Sequence, residues 1–295
     1  MRYATASAFR AALEERLKAE AQTTELGLNR LRKRVAFELF LRRLVAVAPD
    51  RWVLKGALAL AFRLSVPTRP TKDIDLGRTD DEETAIEDIT AAQQLALDDF
   101  FSFTATRTNA FEGADEFTAI RFHVIAELAD RTFEQFTVDI GFTDATTGKP
   151  DTIHTSRFLS FAEIDPIPIP AVPITEHVAE KVHAYTRAYG QNSRPSTRPK
   201  DLVDILLIAS AEEIEAASLR EALERTFALR RHQQLPANLP SAPRSWEAPY
   251  RRLAAEVSVQ AELATAVAEA QAFVNPVLGD RRTGTWDPVR RQWMG

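Results

Sequence analysis

Residues 69–76, Arg69-Pro70-Thr71-Lys72-Asp73-Ile74-Asp75-Leu76, are the stretch on which the fold turns. Residues 73–77 alternate acidic and apolar side chains, the pattern of a short strand. Side chains on a strand alternate faces, so Asp73 and Asp75 share one face while Ile74 and Leu76 enter the core. Two carboxylates that close repel each other and raise each other's pKa unless a cation intervenes. A hard divalent ion such as Mg²⁺, which takes oxygen ligands, resolves the conflict. Two such ions can clamp the attacking and leaving oxygens of a phosphoryl displacement. A solvated strand end also reads Asp-x-Asp, so the neighbouring sequence has to decide.

Upstream, residues 51–55 read as a strand that ends at Gly56, and residues 57–64 as a helix halted around Pro67 and Pro70. Backbone N–H groups at such a helix start bind phosphate, and glycine lets the phosphate come close. A plain tight turn before a helix has the same sequence. Downstream, residues 99–142 change character. Runs rich in aromatic and β-branched residues begin at Phe100, Phe117 and Phe133, with Asn109, Gly113 and Asp130 as turn residues between them. They predict an antiparallel meander. In the third run Phe136, Val138, Ile140 and Phe142 form the core face, leaving Thr137 and Asp139 opposite. Asp139 is then either a third carboxylate from an adjacent strand or an aspartate on the solvated side of a sheet.

The remaining pattern is mostly helical. Residues 5–20 and 24–47 read as two helices, 81–98 as another, and 175–189, 199–210, 212–231, 246–256 and 258–273 as five more. The proline-rich run 165–173 cannot be helical and reads as an extended connector or an edge strand. The order predicts an α/β domain over 1–170 and an α-helical domain over 171–295. A chain of 295 residues, 45% apolar, is long enough for two real cores. With no cysteine, disulfides, thiolate nucleophiles and sulfur-ligated metals are excluded, which fits a reducing cytoplasm. Nothing approaches a membrane span of about 18 apolar residues. The mixed-charge N-terminus is not a signal peptide, so the cytoplasm is the expected compartment.

A net charge of −5 does not advertise a nucleic-acid binder, but the distribution is uneven. Basic residues bunch at Arg30–Arg34, at Arg187–Lys200, and at Arg281-Arg282 with Arg290-Arg291. Each cluster reads equally well as a phosphate-binding groove or as a solvated helix face.

The run from Lys55-Gly56-Ala57-Leu58 through Thr71-Lys72-Asp73-Ile74-Asp75 resembles the opening motifs of the AbiEii-type nucleotidyltransferases. These are the toxin half of type IV toxin–antitoxin and abortive-infection systems, MenT toxins among them. Asp139 matches the family's lone third carboxylate, and Lys181, in His177-Val178-Ala179-Glu180-Lys181, matches its helical lysine motif. Lys200-Asp201-Leu202-Val203-Asp204 matches the closing motif. The resemblance spans about residues 50–210, and the motifs follow in family order. It implies a DNA-polymerase-β-like nucleotidyltransferase core, α/β in class, with an α-helical C-terminal domain. It also implies Mg²⁺ dependence, an NTP donor, a cognate antitoxin and the 3′ acceptor end of tRNA as target.

On that resemblance Asp73, Asp75 and Asp139 are the metal ligands, with Asp139 as candidate general base. Lys55, Gly56, Ala57, Lys181 and Asp204 contact the nucleotide. Asp201 positions Lys181 or the nucleotide, in competition with a capping role at its helix start. Asp204 shares that task or pairs with Lys200. The wider superfamily prefers Gly-Gly or Gly-Ser where this chain has Gly56-Ala57; Ala57 has no hydroxyl to donate, so phosphate contact there rests more on backbone N–H groups. Arg69 and Lys72 read as phosphate contacts or as loop-surface charges. The segment from Tyr189 to Lys200 reads as a basic loop for an RNA backbone. His177 and His183 read as helix residues, not ligands, and Trp246, Trp286 and Trp293 as core or interface anchors. Two rival readings remain: nucleotide transfer to a protein or small molecule, and a non-catalytic nucleotide-binding regulator.

Overall fold

The computed structural model describes residues 1–24, 26–64, 68–108, 119–142, 148–187, 198–230, 233–257 and 259–295. Contacts divide the chain into two compact units, residues 1–62 with 70–172, and residues 63–69 with 173–295. The turn residues Asn109 and Gly113, the breaker Pro67 and most of the basic segment from Tyr189 onward lie outside the described residues.

The first unit opens with α1 (Ala6–Thr23) and α2 (Leu28–Val47). Thr5 caps α1 by accepting from the Ala8 N–H at 3.2 Å, and its buried stripe is Phe9, Leu13 and Leu17, one per turn. Then come β1 (Val53–Lys55), α3 (Gly56–Arg63), β2 (Asp73–Arg78) and α4 (Glu82–Gln94). Asp81 caps α4, with Glu82 and Glu83 in the first turn where the helix dipole favours them. The helix stops at Gln94, short of the predicted residue 98. The meander follows as β3 (Phe101–Thr108), β4 (Ala119–Leu128) and β5 (Arg131–Phe142), and β6 (Asp151–His154) and β7 (Pro168–Ala171) complete the unit.

These strands form a mixed sheet in the order β3-β4-β5-β2-β1-β7-β6. Its central pair, β2 and β5, is parallel, while β1–β2, β3–β4 and β4–β5 are antiparallel. One face carries Phe103, Phe122, Val124, Phe136, Val138 and Ile140, all buried. The α2 rings pack edge-on against it, Phe37 to Phe136 at 5.0 Å and Phe40 to Phe136 at 5.8 Å. The other face is polar. That two-layer arrangement leaves the acidic side of β2 and β5 open for chemistry.

The proline-rich strand departs from expectation. β7 is not at the edge; it sits between β1 and β6. The Val172 N–H donates to Leu54 O, and the Thr155 N–H donates to Ile167 O on the opposite side. Alternation then points the N–H positions of Pro168 and Pro170 toward β1. β1 pairs with β7 only at Leu54–Ala171, beyond both prolines, so the missing donors leave no broken ladder bond.

The second unit contains α5 (Ile174–Thr186), α6 (Pro199–Ala211), β8 (Ile214–Glu215), α7 (Ala216–Leu229), α8 (Glu247–Ala254), α9 (Leu263–Leu278), β9 (Thr285–Asp287) and β10 (Gln292–Met294). It is mainly helical, as the sequence predicts, with an addition. A small sheet in the order β10-β9-β8 closes it. Its strands are two or three residues long, too short to give a periodic signal. Trp286 and Trp293 anchor it on α9, with Phe273 at 4.9 and 6.0 Å. Their indole N–H groups donate to Ala209 O and Phe273 O. Trp246 packs edge-on to Tyr185 at 5.3 Å, so these tryptophans serve the core.

One buried ion pair fastens the helical layer to the sheet. Arg43 on α2 forks onto Asp99 at 2.7 and 2.8 Å and also donates to Leu39 O and Phe101 O. Removing one member of such a pair leaves an uncompensated charge in the core. Asp99→Ala should destabilise the chain by about 3–5 kcal/mol, read as a lower urea midpoint with an unchanged slope.

Candidate active site

Sheet register builds the site. Lys55 on β1 lies opposite Asp75 on β2, Asp75 beside Asp139 on β5, Asp139 opposite Arg121 on β4, and Arg121 opposite Thr108 on β3. Cross-strand partners share a face, so one transverse row reads Lys, Asp, Asp, Arg, Thr. The next row holds Asp73, Thr137, His123 and Thr106. Asp73, Asp75 and Asp139 each offer a carboxylate oxygen, and these oxygens lie within 4.8 Å of one another. All three residues are half-buried.

Unit charges about 4 Å apart repel by about 4 kcal/mol at an effective dielectric of about 20. The chain tempers that repulsion with its own groups. The Thr71 hydroxyl donates to Asp73 Oδ1 at 2.6 Å. Arg121 forks onto Asp139, each contact 2.6 Å. The hydrogen-bonded Asp139 carboxylate raises the Arg121 pKa, against partial burial and with help from the charges of Asp139, Asp73 and Asp75. Three hard oxygen donors converging on an open face fit a divalent cation such as Mg²⁺. The fork on Asp139 does not exclude one, because a carboxylate has about four lone-pair sites.

β1 passes into α3 at Gly56 without an intervening loop. Gly56 has φ +65°, and a Cβ there would run into the Asp75 carboxylate. Glycine therefore suits both the backbone conformation and the close approach of Asp75, a carboxylate of the triad. Ala57, in the first turn of α3, is buried, which leaves backbone N–H groups as the polar offering at that helix start.

In the second unit, Lys181 on α5 pairs with Asp204 Oδ2 at 2.9 Å and Asp201 Oδ1 at 3.4 Å, both on α6. Arg69 forks onto Asp204 at 2.8 and 3.0 Å, and Arg198 meets Asp201 at 2.9 Å. Both aspartates are completely buried and Lys181 nearly so. Burial by itself would lower the Lys181 pKa, but Asp204 and Asp201 outweigh it and the pKa rises. Burial opposes ionisation of Asp204, yet Lys181 and Arg69 hold its carboxyl far below the usual range. Arg69 is thus not a loop-surface charge, and the partners of Asp204 here are Lys181 and Arg69. Asp201 occupies the first turn of α6 after Pro199, so the dipole position and the lysine contact coincide.

Two contributors escape the sequence reading, although its own alternation holds the signal. In Ile120-Arg121-Phe122-His123-Val124 the polar residues fall on the Asp139 face, and neither was singled out. Most of the basic clusters are spent on ion pairs. Arg32, Lys33 and Arg34 pair with Glu14, Glu134 and Glu38, and Arg282, Arg290 and Arg291 with Glu224, Asp287 and Glu269.

A mixed sheet backed by helices, with three carboxylates on its open face beside a glycine strand-to-helix turn, is the architecture of a DNA-polymerase-β-like nucleotidyltransferase. Residues 39–273 match the family described as nucleotidyl transferase AbiEii toxin, type IV toxin–antitoxin system. The chain belongs to that family. Among solved structures it is similar to MenT4, a nucleotidyltransferase toxin from Mycobacterium tuberculosis H37Rv, at 17% identity and a TM-score of 0.58. The match covers 92% of this chain and 90% of that one, and it shows a common fold. It is also similar to JHP933 from Helicobacter pylori, at 14% identity and a TM-score of 0.44, over 83% of this chain and 88% of that one. No curated protein matches the sequence. No helix among the described residues is long and apolar enough to cross a membrane.

Gly56→Ala should both strain the turn, by about 1–2 kcal/mol, and displace Asp75. A calorimetric titration with Mn²⁺ should then show weakened binding, with the thermal midpoint lowered by a few degrees. A second expectation concerns acid. His177 is buried, and neither ring nitrogen has a hydrogen-bond partner among the described residues. Burial and then Lys181 push its pKa down to about 3, and burial and then Arg230 push His183 to about 4. The unfolded chain takes up these protons below about pH 6.5 and the fold does not. The stability they contribute is therefore complete above that pH and is lost as pH falls toward 4 and 3. The slope is about 1.4 kcal/mol per pH unit for each histidine. Urea midpoints from pH 7.5 to 4.5 should fall accordingly, and His177→Phe should flatten the curve.

Proposed function

We propose that this chain transfers a nucleoside monophosphate from an NTP to the 3′ acceptor end of tRNA, arresting translation in the cytoplasm until a cognate antitoxin intervenes. The observation that carries the reading is the triad Asp73, Asp75 and Asp139, held in strand register beside the Gly56 turn.

The triad would hold Mg²⁺, which when bound supplies positive charge to the phosphates at the reacting centre. The chain's own groups do the rest. Backbone N–H groups at Gly56 and Ala57 donate to phosphate oxygens, with Lys55 the residue before them at the end of β1. On the family resemblance Lys181 is the candidate phosphate-binding cation; within the second unit Asp201 and Asp204 set its position and keep it protonated. The terminal hydroxyl oxygen of the acceptor attacks the α-phosphorus and gives its proton to Asp139. The bond to the β-phosphate oxygen breaks, and pyrophosphate leaves with the electron pair.

The test is incubation with each labelled NTP, Mg²⁺ and total tRNA. Label should migrate with RNA, at the 3′ end. Label found only on protein, or on an added small hydroxylated acceptor, would overturn the tRNA assignment. Asp75→Ala should abolish both labelling and growth arrest. Arrest that survives Asp73→Ala and Asp75→Ala, without nucleotide binding by calorimetry, would favour a non-catalytic regulator.

A further inference from the structure

The triad has two sides within the sheet. Toward β1 lies the Gly56 turn, with its helix-start N–H groups. Toward β4 and β3 the same open face continues as Arg121, His123, Thr137 and Thr106. In a phosphoryl displacement the attacking and leaving oxygens lie roughly in line. With a donor's phosphates at the Gly56 turn, the side of the triad away from that turn is the β4–β3 side, where an in-line attacking hydroxyl has room to enter.

That side is built for a polar strand. Two strand spacings carry it about 10 Å from β5 to β3, and two residues along β4 span about 7 Å. Between Asp139 and Thr106 it bears no other acidic residue. His123 is half-buried and Thr106 exposed, and the side chains of His123, Thr106 and Thr137 make no hydrogen bond among the described residues. Elsewhere in the chain polar groups are heavily committed to ion pairs. Here donors and acceptors with unspent capacity line up in register with the third carboxylate.

We propose that the strip formed by Arg121, His123, Thr137 and Thr106 is the acceptor subsite, and that its occupant is the 3′-terminal strand of an RNA. This deepens, and rests on, the nucleotidyltransferase reading above. Imidazole and hydroxyl groups bond phosphate oxygens and the 2′-hydroxyl, which distinguishes RNA from DNA. Arg121 orients Asp139 through its fork and brings positive charge to the strip.

Two variants test the strip without touching the triad: His123→Ala, and Thr106→Glu, which places a like charge in the path of phosphate. Binding is read by anisotropy of fluorescein-labelled total tRNA and of a short single-stranded RNA with a free 3′-hydroxyl, without NTP. Each variant should weaken RNA binding by about tenfold and raise the KM for RNA. Affinity for Mg²⁺-NTP and the unfolding midpoint should stay at wild-type values. If both variants bind RNA as wild type does while the wild type labels tRNA, the strip is wrong and the function stands. If the wild type binds no RNA and labels protein, both fall. If the strip binds the DNA version of the same oligonucleotide equally well, the assignment to RNA is overturned.

Discussion

Mutual repulsion among Asp73, Asp75 and Asp139 is the constraint around which the first unit is arranged. Three carboxylate oxygens within 4.8 Å stay together only if something rigid prevents them from separating. The rigidity comes from the sheet. Asp75 and Asp139 are neighbours because β2 and β5 are parallel and in register, and a slip of one residue would turn either side chain into the core. The aromatic packing of α2 on the opposite face holds that register, so the hydrophobic layer and the acidic layer are two consequences of one alternation. Thr71 and Arg121 lessen the repulsion without cancelling it, leaving three oxygens in a geometry that suits a cation.

The second unit meets a comparable electrostatic problem differently. Asp201 and Asp204 are buried, and the chain surrounds them with Lys181, Arg69 and Arg198. Every carboxylate there has a cation, and the cations outnumber the carboxylates by one. Such a cluster is costly to assemble, because each charge gives up water. It also ties α5, α6 and the segment at Arg69 into one geometry. A lysine held this way stays protonated despite its burial and is fixed in position, which a surface lysine on a flexible stem is not.

Much of this was legible in the residues. Alternation in residues 73–77 and 133–142 identified both strands and the shared acidic face, because a two-residue period survives without context. Helices with a strong stripe or a cap, such as α1 and α4, were also readable, although α4 ends earlier than its composition suggests. The strand β7 was misplaced at the edge. Prolines argue against an interior strand only where their neighbours need the missing donor, and that depends on how far β1 reaches. The small sheet of β8, β9 and β10 was invisible because strands of two or three residues are too short to repeat any pattern. At the site, Arg121 and His123 were overlooked although their faces were readable. Their meaning depends on which strand lies beside β4, a fact that is long-range in sequence. Arg69 was undecided between surface and phosphate for the same reason, since its partner is 135 positions away.

The passage from β1 into α3 at Gly56 bears on how such an enzyme can change. A carboxylate fills the space a side chain would need there, and the triad's spacing is set by strand pitch instead of by loops. The acidic centre is therefore tightly constrained: a side chain at Gly56 meets Asp75, and a one-residue slip between β2 and β5 would turn a carboxylate into the core. Variation in what is modified has to be accommodated by side chains that hang from the same strands without fixing them. The molecule separates a part that can only be kept or lost from a part that can be retuned one residue at a time.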